Sequence, residues 1–313
     1  MKELFSTRLA KRFISDYSLP MPVPETYEEF IEYLTFYENR LGALTKYKDL
    51  ENIIVSKFES NPEKFVEYYC KVRDEIIEDI LKNEDYIEFN KGSMDKYVVK
   101  DRPENLPSKN IYNRERINKR YLSVDLKKAN IQALKYVNPK ILKGAKTYEE
   151  FIKFYTDIPY IIESKRTRQV IYGKLNPKRI QTVESFIINE VRKRLNLDYP
   201  LITMMKDELV YEIPEDEVID PIFIKSKAIG FDLNVEVFEL RAYALKTKSG
   251  APDRVFYTKG DDFKRLIDLE FSTLFDRIAY KLLMGKELTG NDLKMTFEGY
   301  KTTINEEFYV ERL

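Results

Sequence analysis

The stretch from Leu201 to Ile213 constrains this chain more than any other. Two apolar runs, LITMM and LVYEI, flank the charged tripeptide Lys206-Asp207-Glu208. Two such runs around a short polar tip predict a β-hairpin that carries its acids at the turn. The dipeptide Asp-Glu recurs at Asp74-Glu75 and Asp216-Glu217, but in a charged helical pattern and an acidic loop. Only Asp207-Glu208 sits between strands.

The remaining elements place this hairpin in a mixed chain. Thr26 and Glu29 have capping-box spacing, and the pattern stays helical from there to about Asn83. A polar, proline-containing stretch from about Lys91 to Asn113 reads as a connector. Arg120 to Val124 reads as a short strand running into Asp125, and Lys127 to Tyr136 as a helix closed by Asn138-Pro139. Thr147 and Glu150 repeat the capping-box spacing, and TYEEFIKF there matches TYEEFIEY at 26 as a shared helix start. Basic helical segments run from about Ile161 to Leu195, broken near Asn176-Pro177. A β-rich region spans about Pro221 to Gly260, with a turn at Ser249-Gly250, and helix returns from about Asp262 to Met284. The fold class is α+β. The expected division is a helical N-terminal region with its connector over 1–113, a central region over 114–220, and a β-rich then helical region over 221–313.

Composition narrows the chemistry. Among 313 residues there is no His and one Cys, so imidazole acid–base catalysis, serine and cysteine triads, thiolate metal clusters and internal disulfides are excluded. What remains is carboxylate, Lys, Arg, Tyr, Ser and Thr, or a hard cation held by oxygen. A lone Cys and the absence of a secretory pattern in the basic N-terminal stretch predict a cytoplasmic protein. No apolar run approaches the length of a membrane span, so no membrane partner is expected.

Asp125 at a strand end and Asp207-Glu208 at a hairpin tip would converge if their strands are neighbours in one sheet. Close carboxylates repel unless a divalent cation neutralises them, and such a cradle is what two-metal phosphoryl transfer requires. Asp125 also has the place of an ordinary cap for the helix that follows it. Between the acids, Ile161 to Arg194 holds nine basic residues against three acidic ones, in a chain whose 53 Lys+Arg balance 53 Asp+Glu. That local field has the sign that attracts phosphates, and Lys165, Arg168 and Tyr172 share much of one helical face. The alternative is a solvated helix face.

The order strand-Asp-helix, then Arg168-Gln169-Val170-Ile171-Tyr172-Gly173, then strand-Asp-Glu-strand resembles motifs A, B and C of palm-domain nucleic-acid polymerases. The nearest likeness is to the DNA polymerase I family and the single-subunit phage-type polymerases. The resemblance implies a palm-like antiparallel sheet with flanking helices over 114–220, reduced fingers, and a thumb-like N-terminal region. It implies that Asp125 and Asp207 hold two Mg²⁺ ions with Glu208 in support. Arg168 and Lys165 would grip the triphosphate, Tyr172 would stack beside the incoming nucleotide, and Asn130 would stand where sugar discrimination is made. The implied partners are a DNA or RNA template-primer, nucleoside triphosphates, and partner subunits of replication or transcription. A DNA product is favoured, and the setting is a virus-infected bacterial cell. Three positions depart from the family pattern: Lys206 stands in place of His before the motif C acids, Asn130 in place of Glu, and Ser164 in place of the first cation of motif B. Motif A alone is also similar to that of reverse transcriptases. The rival reading is a non-catalytic palm or an unrelated nucleic-acid-binding accessory protein of a virus.

Overall fold

Helix starts follow the capping chemistry that the sequence predicts. Thr26 accepts a hydrogen bond from the Glu29 amide at 3.2 Å, while the Glu29 carboxylate accepts one from the Glu25 amide at 3.0 Å. Thr147 and Glu150 do the same, at 3.1 Å from the Glu150 amide and 2.8 Å from the Lys146 amide. Each pair satisfies one of the N–H groups that a first helical turn leaves open and ties down the amide of the residue before the cap.

The structure, a computed structural model, describes residues 4–104, 106–107, 110–297 and 300–313. Its N-terminal region is helical: α1 (Thr7–Tyr17), α2 (Tyr27–Phe36), α3 (Glu38–Leu41), α4 (Ala43–Lys57), α5 (Pro62–Lys82) and α6 (Glu84–Lys91). The long helical pattern is interrupted at Gly42, whose φ of +64° suits a residue without Cβ. On α5 the apolar stripe buries Phe65, Tyr69, Val72, Ile76 and Ile80, three and four residues apart.

Alternating elements follow. They are β1 (Arg120–Leu126), α7 (Ala129–Val137), α8 (Tyr148–Ile152), α9 (Pro159–Glu163), α10 (Lys165–Lys174) and α11 (Pro177–Leu195). The expected hairpin is β2 (Leu201–Met204) and β3 (Glu208–Ile213), and α12 (Pro221–Lys227) comes next. The last part comprises β4 (Leu233–Thr247), β5 (Arg254–Lys259), β6 (Asp262–Ile267), α13 (Ser272–Leu283), β7 (Lys294–Phe297), β8 (Tyr300–Thr303) and β9 (Phe308–Arg312). Seven of these strands make an antiparallel sheet, and β7 pairs with β8 separately. The fold is α+β with a helical N-terminal region. Among the described residues no helix is long and apolar enough to cross a membrane.

The chain forms two compact units that interleave along the sequence. One comprises Met1–Glu67, Arg114–Asn118 and Leu240–Leu313; the other comprises Tyr68–Asn113 and Lys119–Glu239. This division cuts across the expected boundaries at 113 and 220, because a single strand serves both. The first half of β4 pairs with β1, from Leu233 opposite Leu126 to Glu239 opposite Arg120. Its second half pairs with β5 and β9.

In the unit of Tyr68–Asn113 and Lys119–Glu239, the strand order is β2-β3-β1-β4 and all pairings are antiparallel. The helix α11 packs on α7 and on β3, burying Ile180, Val183, Ile187, Ile188 and Val191. The connector is pinned rather than loose at Asp101 and Arg102. Asn189 donates to Asp101 at 2.9 Å, and Arg102 donates to the Met204 carbonyl at 2.9 Å. Residues 105, 108 and 109 of the connector lie outside the described residues. In the other unit, Tyr243, Leu245, Phe256, Phe275 and Ile278 form one core cluster. Arg40 and Asp276 make a buried two-pronged ion pair at 2.5 and 3.1 Å, to which Tyr37 adds a hydroxyl donor at 3.1 Å.

Candidate functional site

The hairpin tip and the end of β1 meet. Antiparallel pairing of β1 with β3 sets Asp125 directly opposite Glu208, and pairing of β1 with β4 sets it opposite Asn234. The ladder continues past the strand ends: the Leu126 amide donates to the Asp207 carbonyl at 2.8 Å, and the Lys127 amide to the Asp232 carbonyl at 2.9 Å. Side chains alternate along a strand, so Ser123, Asp125, Glu208 and Val210 share one face of the sheet. Leu122, Val124, Leu209 and Tyr211 share the other. The Ser123 hydroxyl crosses to the Glu208 carboxylate at 2.5 Å and fixes it on the Asp125 face. Like charges directly opposite across a ladder oppose folding, so this pair is held in place by its surroundings rather than by mutual attraction. Glu236, opposite Ser123, adds a further acid to the same face.

Asp207 behaves differently from Glu208. It lies in the two-residue turn, half-buried, and burial pushes its carboxyl above the ordinary value. Its charge acts on Glu184 of α11, a residue only 9 % exposed. The Glu184 carboxyl is pushed up to about 7, first by burial and then by Asp207, with Lys206 pulling it down. Lys206 reaches the same helix, donating to the Gln181 side chain at 2.6 Å. Glu184 stands outside the candidates read from the sequence, although a signal marks it. It falls four residues after Ile180 and three before Ile187, on the apolar stripe of α11, where an acid has no ordinary reason to be.

The residues expected to form motif B lie on α10. Arg168 is half-buried, its guanidinium 5.6 Å from the centre of the Tyr148 ring. Tyr172 is 4 % exposed, its hydroxyl has no hydrogen-bond partner among the described residues, and burial raises its pKa. A ring so enclosed packs the interior and offers no face to a base, which corrects the stacking role expected of it. Lys165 is exposed at the start of α10. Asn130, in the first turn of α7, turns its side-chain oxygen to the Ile131 amide at 3.0 Å.

The expected cationic wall from Ile161 to Arg194 is also corrected, because much of it is spent on structure. Arg179 donates to the Phe89 carbonyl at 2.6 Å and lies over the Phe89 ring. Arg192 donates to the Asp101 carbonyl at 3.1 Å. Arg194 donates to the Ile229 carbonyl at 2.7 Å and covers the Phe231 ring at 4.9 Å. Lys193 is bracketed by Glu190 and Asp101. These guanidinium and ammonium groups tie distant segments together.

Oxygen donors without imidazole or thiolate suit a hard divalent cation. Among the described residues no group of three or more acids is gathered closely enough to hold one alone. Magnesium ordinarily needs only one or two carboxylates, with substrate phosphates and water completing its shell, and the opposed Asp125 and Glu208 fit that requirement. Comparison with known proteins finds no matching family, no matching curated protein and no matching solved structure.

Proposed function

We propose that this chain is a compact magnesium-dependent nucleotidyltransferase that extends a nucleic acid on a template, with a DNA product favoured. The observation that carries the reading is the juxtaposition at the sheet end. A strand-terminal Asp stands in register with the Glu of an Asp-Glu hairpin, and the Asp of that hairpin is backbone-bonded to the residue after Asp125.

Asp125 and Glu208 would hold the magnesium, with Asp207 at the same hairpin tip in support and substrate phosphates and water completing the shell. When bound, the metal supplies activation of the attacking oxygen and charge neutralisation at the leaving oxygen. The protein's own work is positioning: Ser123 orients Glu208, and the β1–β3 ladder fixes the spacing of the acids. Such catalysis needs no imidazole, in keeping with a chain that has none. Under this reading the protein acts in the cytoplasm of a virus-infected bacterial cell, on a template-primer and nucleoside triphosphates, with replication or transcription subunits as partners.

A second reading, a nucleic-acid-binding palm without chemistry, draws support from the action of the Asp207 charge on Glu184 and from the substitutions at Lys206, Ser164 and Asn130. Extension of a labelled primer with magnesium separates the two. The expected result is incorporation by the wild type, and its loss to background in Asp125→Asn and Asp207→Asn with template binding retained. A wild type that incorporates neither sugar on DNA or RNA templates removes the catalytic reading.

A further inference from the structure

Two residues beyond Asp125 the sheet end opens into a cleft of about 860 Å³, lined from the β1–α7 turn, one face of α7, the segment before α8 and the segment before β4. Its walls carry Lys127, Lys128, Lys135 and Lys146 against Glu149 and Asp232. Lys128 is neutralised by Glu149 in an ion pair. Lys127 lies at 3.8 Å from an exposed Asp232 carboxylate, a loose, solvent-screened contact. Lys135 donates to the Lys146 carbonyl at 3.0 Å, and neither Lys135 nor Lys146 has a carboxylate partner among the described residues. The cleft therefore presents cationic charge that the protein does not itself satisfy.

One wall is aromatic. Tyr136 is 46 % exposed, unusual for a ring that also belongs to a cluster. It lies 6.2 Å from Phe231 at an interplanar angle of 33°, and 5.9 Å from Phe186. Arg194 covers Phe231 at 4.9 Å. The ring is thus held rigidly from behind while a large part of it stays open to solvent. Phosphate-sized positive charge along a groove, with a fixed aromatic surface beside it, is the combination that binds single-stranded nucleic acid. The lysines follow the backbone and the ring takes a base of any identity.

We infer that this cleft binds a single-stranded nucleic-acid segment, with Lys127, Lys135 and Lys146 on phosphates and Tyr136 stacked on a base. The site adjoins the acidic row but uses none of its residues, so the inference stands whether or not the acids catalyse. In the nucleotidyltransferase reading it would hold the unpaired template beside the reacting end.

The test is fluorescence anisotropy of a labelled oligothymidylate across a salt series, with chelator and without nucleotides, so that a failure of catalysis cannot affect the result. Each phosphate contact on a single strand contributes about 0.7 to the slope of log affinity against log salt. The Lys135→Ala/Lys146→Ala protein is expected to bind roughly tenfold more weakly and to lose about 1.4 of that slope. Tyr136→Ala should weaken binding at least about fivefold, while Tyr136→Phe retains it. Lys71→Ala, an exposed charge loss on α5, should change neither quantity. All these positions are exposed or half-exposed, and circular dichroism verifies that the variants remain folded. The inference is overturned if the wild type does not bind the oligonucleotide at low salt, or if the double variant keeps wild-type affinity and slope. It is equally overturned if Tyr136→Ala binds as well as Tyr136→Phe.

Discussion

Replacing Glu184 by Gln isolates the buried carboxyl behind the hairpin tip. Gln keeps the shape and cannot ionise. In the folded chain the Glu184 carboxyl is pushed up to about 7 by burial and by Asp207, against an ordinary value of 4.5. The folded pKa exceeds the unfolded one, so the folded state holds the proton more tightly. Stability from this group is therefore complete below about pH 4.5 and declines as pH rises towards 7. The gap of about 2.5 pH units, at about 1.36 kcal/mol each, sets a ceiling near ~3.4 kcal/mol. Water penetration and relaxation lower it, so a loss of about 1–3 kcal/mol in the wild type between pH 5 and pH 8 is expected.

Urea denaturation in the presence of a chelator measures this directly, with the wild type and Glu184→Gln compared at each pH. The two midpoints should be close, or favour the wild type, near pH 5. They should diverge in favour of the variant by pH 8. Burial raises Asp207 in the same direction, so the variant should keep a residual slope of its own. A stability difference that stays constant from pH 5 to pH 8 would refute the reasoning, because a buried ionising carboxyl cannot give a pH-independent effect.

Two further substitutions probe the interior. Tyr172→Phe removes a buried hydroxyl that has no hydrogen-bond partner among the described residues, so thermal denaturation should show a melting temperature equal to or above the wild type's; a clear drop would mean the hydroxyl is bonded. Arg40→Ala strands Asp276 in the interior of its unit, at a cost of about 3–5 kcal/mol, whereas Arg40→Met with Asp276→Leu should recover most of the loss. Equal melting temperatures for the single and double variants would contradict that assignment.

What was legible in the sequence, and what was not, follows from how far each feature reaches. The hairpin around Lys206-Asp207-Glu208 and the strand into Asp125 depend on local periodicity, and both form where expected. So do the capped starts at Thr26 and Thr147. Which acid of the tip faces Asp125 depends on register instead, and a shift of one residue would exchange the two faces. Composition carries no information at that level, so the opposition of Asp125 to Glu208 could only be read from the pairing, and the action of the Asp207 charge on Glu184 only from the packed structure. The same limit explains the cations. Charge counted along Ile161 to Arg194 takes no account of the carbonyls of Phe89, Asp101 and Ile229, which arrive from elsewhere in the chain and occupy three of the arginines. Lys127, Lys135 and Lys146 are dispersed along the sequence, yet the chain folds them around one concavity. A phosphate responds to the charge left over at a surface it can enter, not to the density of basic residues in the sequence. On that ground the inferred binding surface lies at the lysine cleft beside Asp125, and Arg194 of α11 belongs to the scaffold behind its aromatic wall.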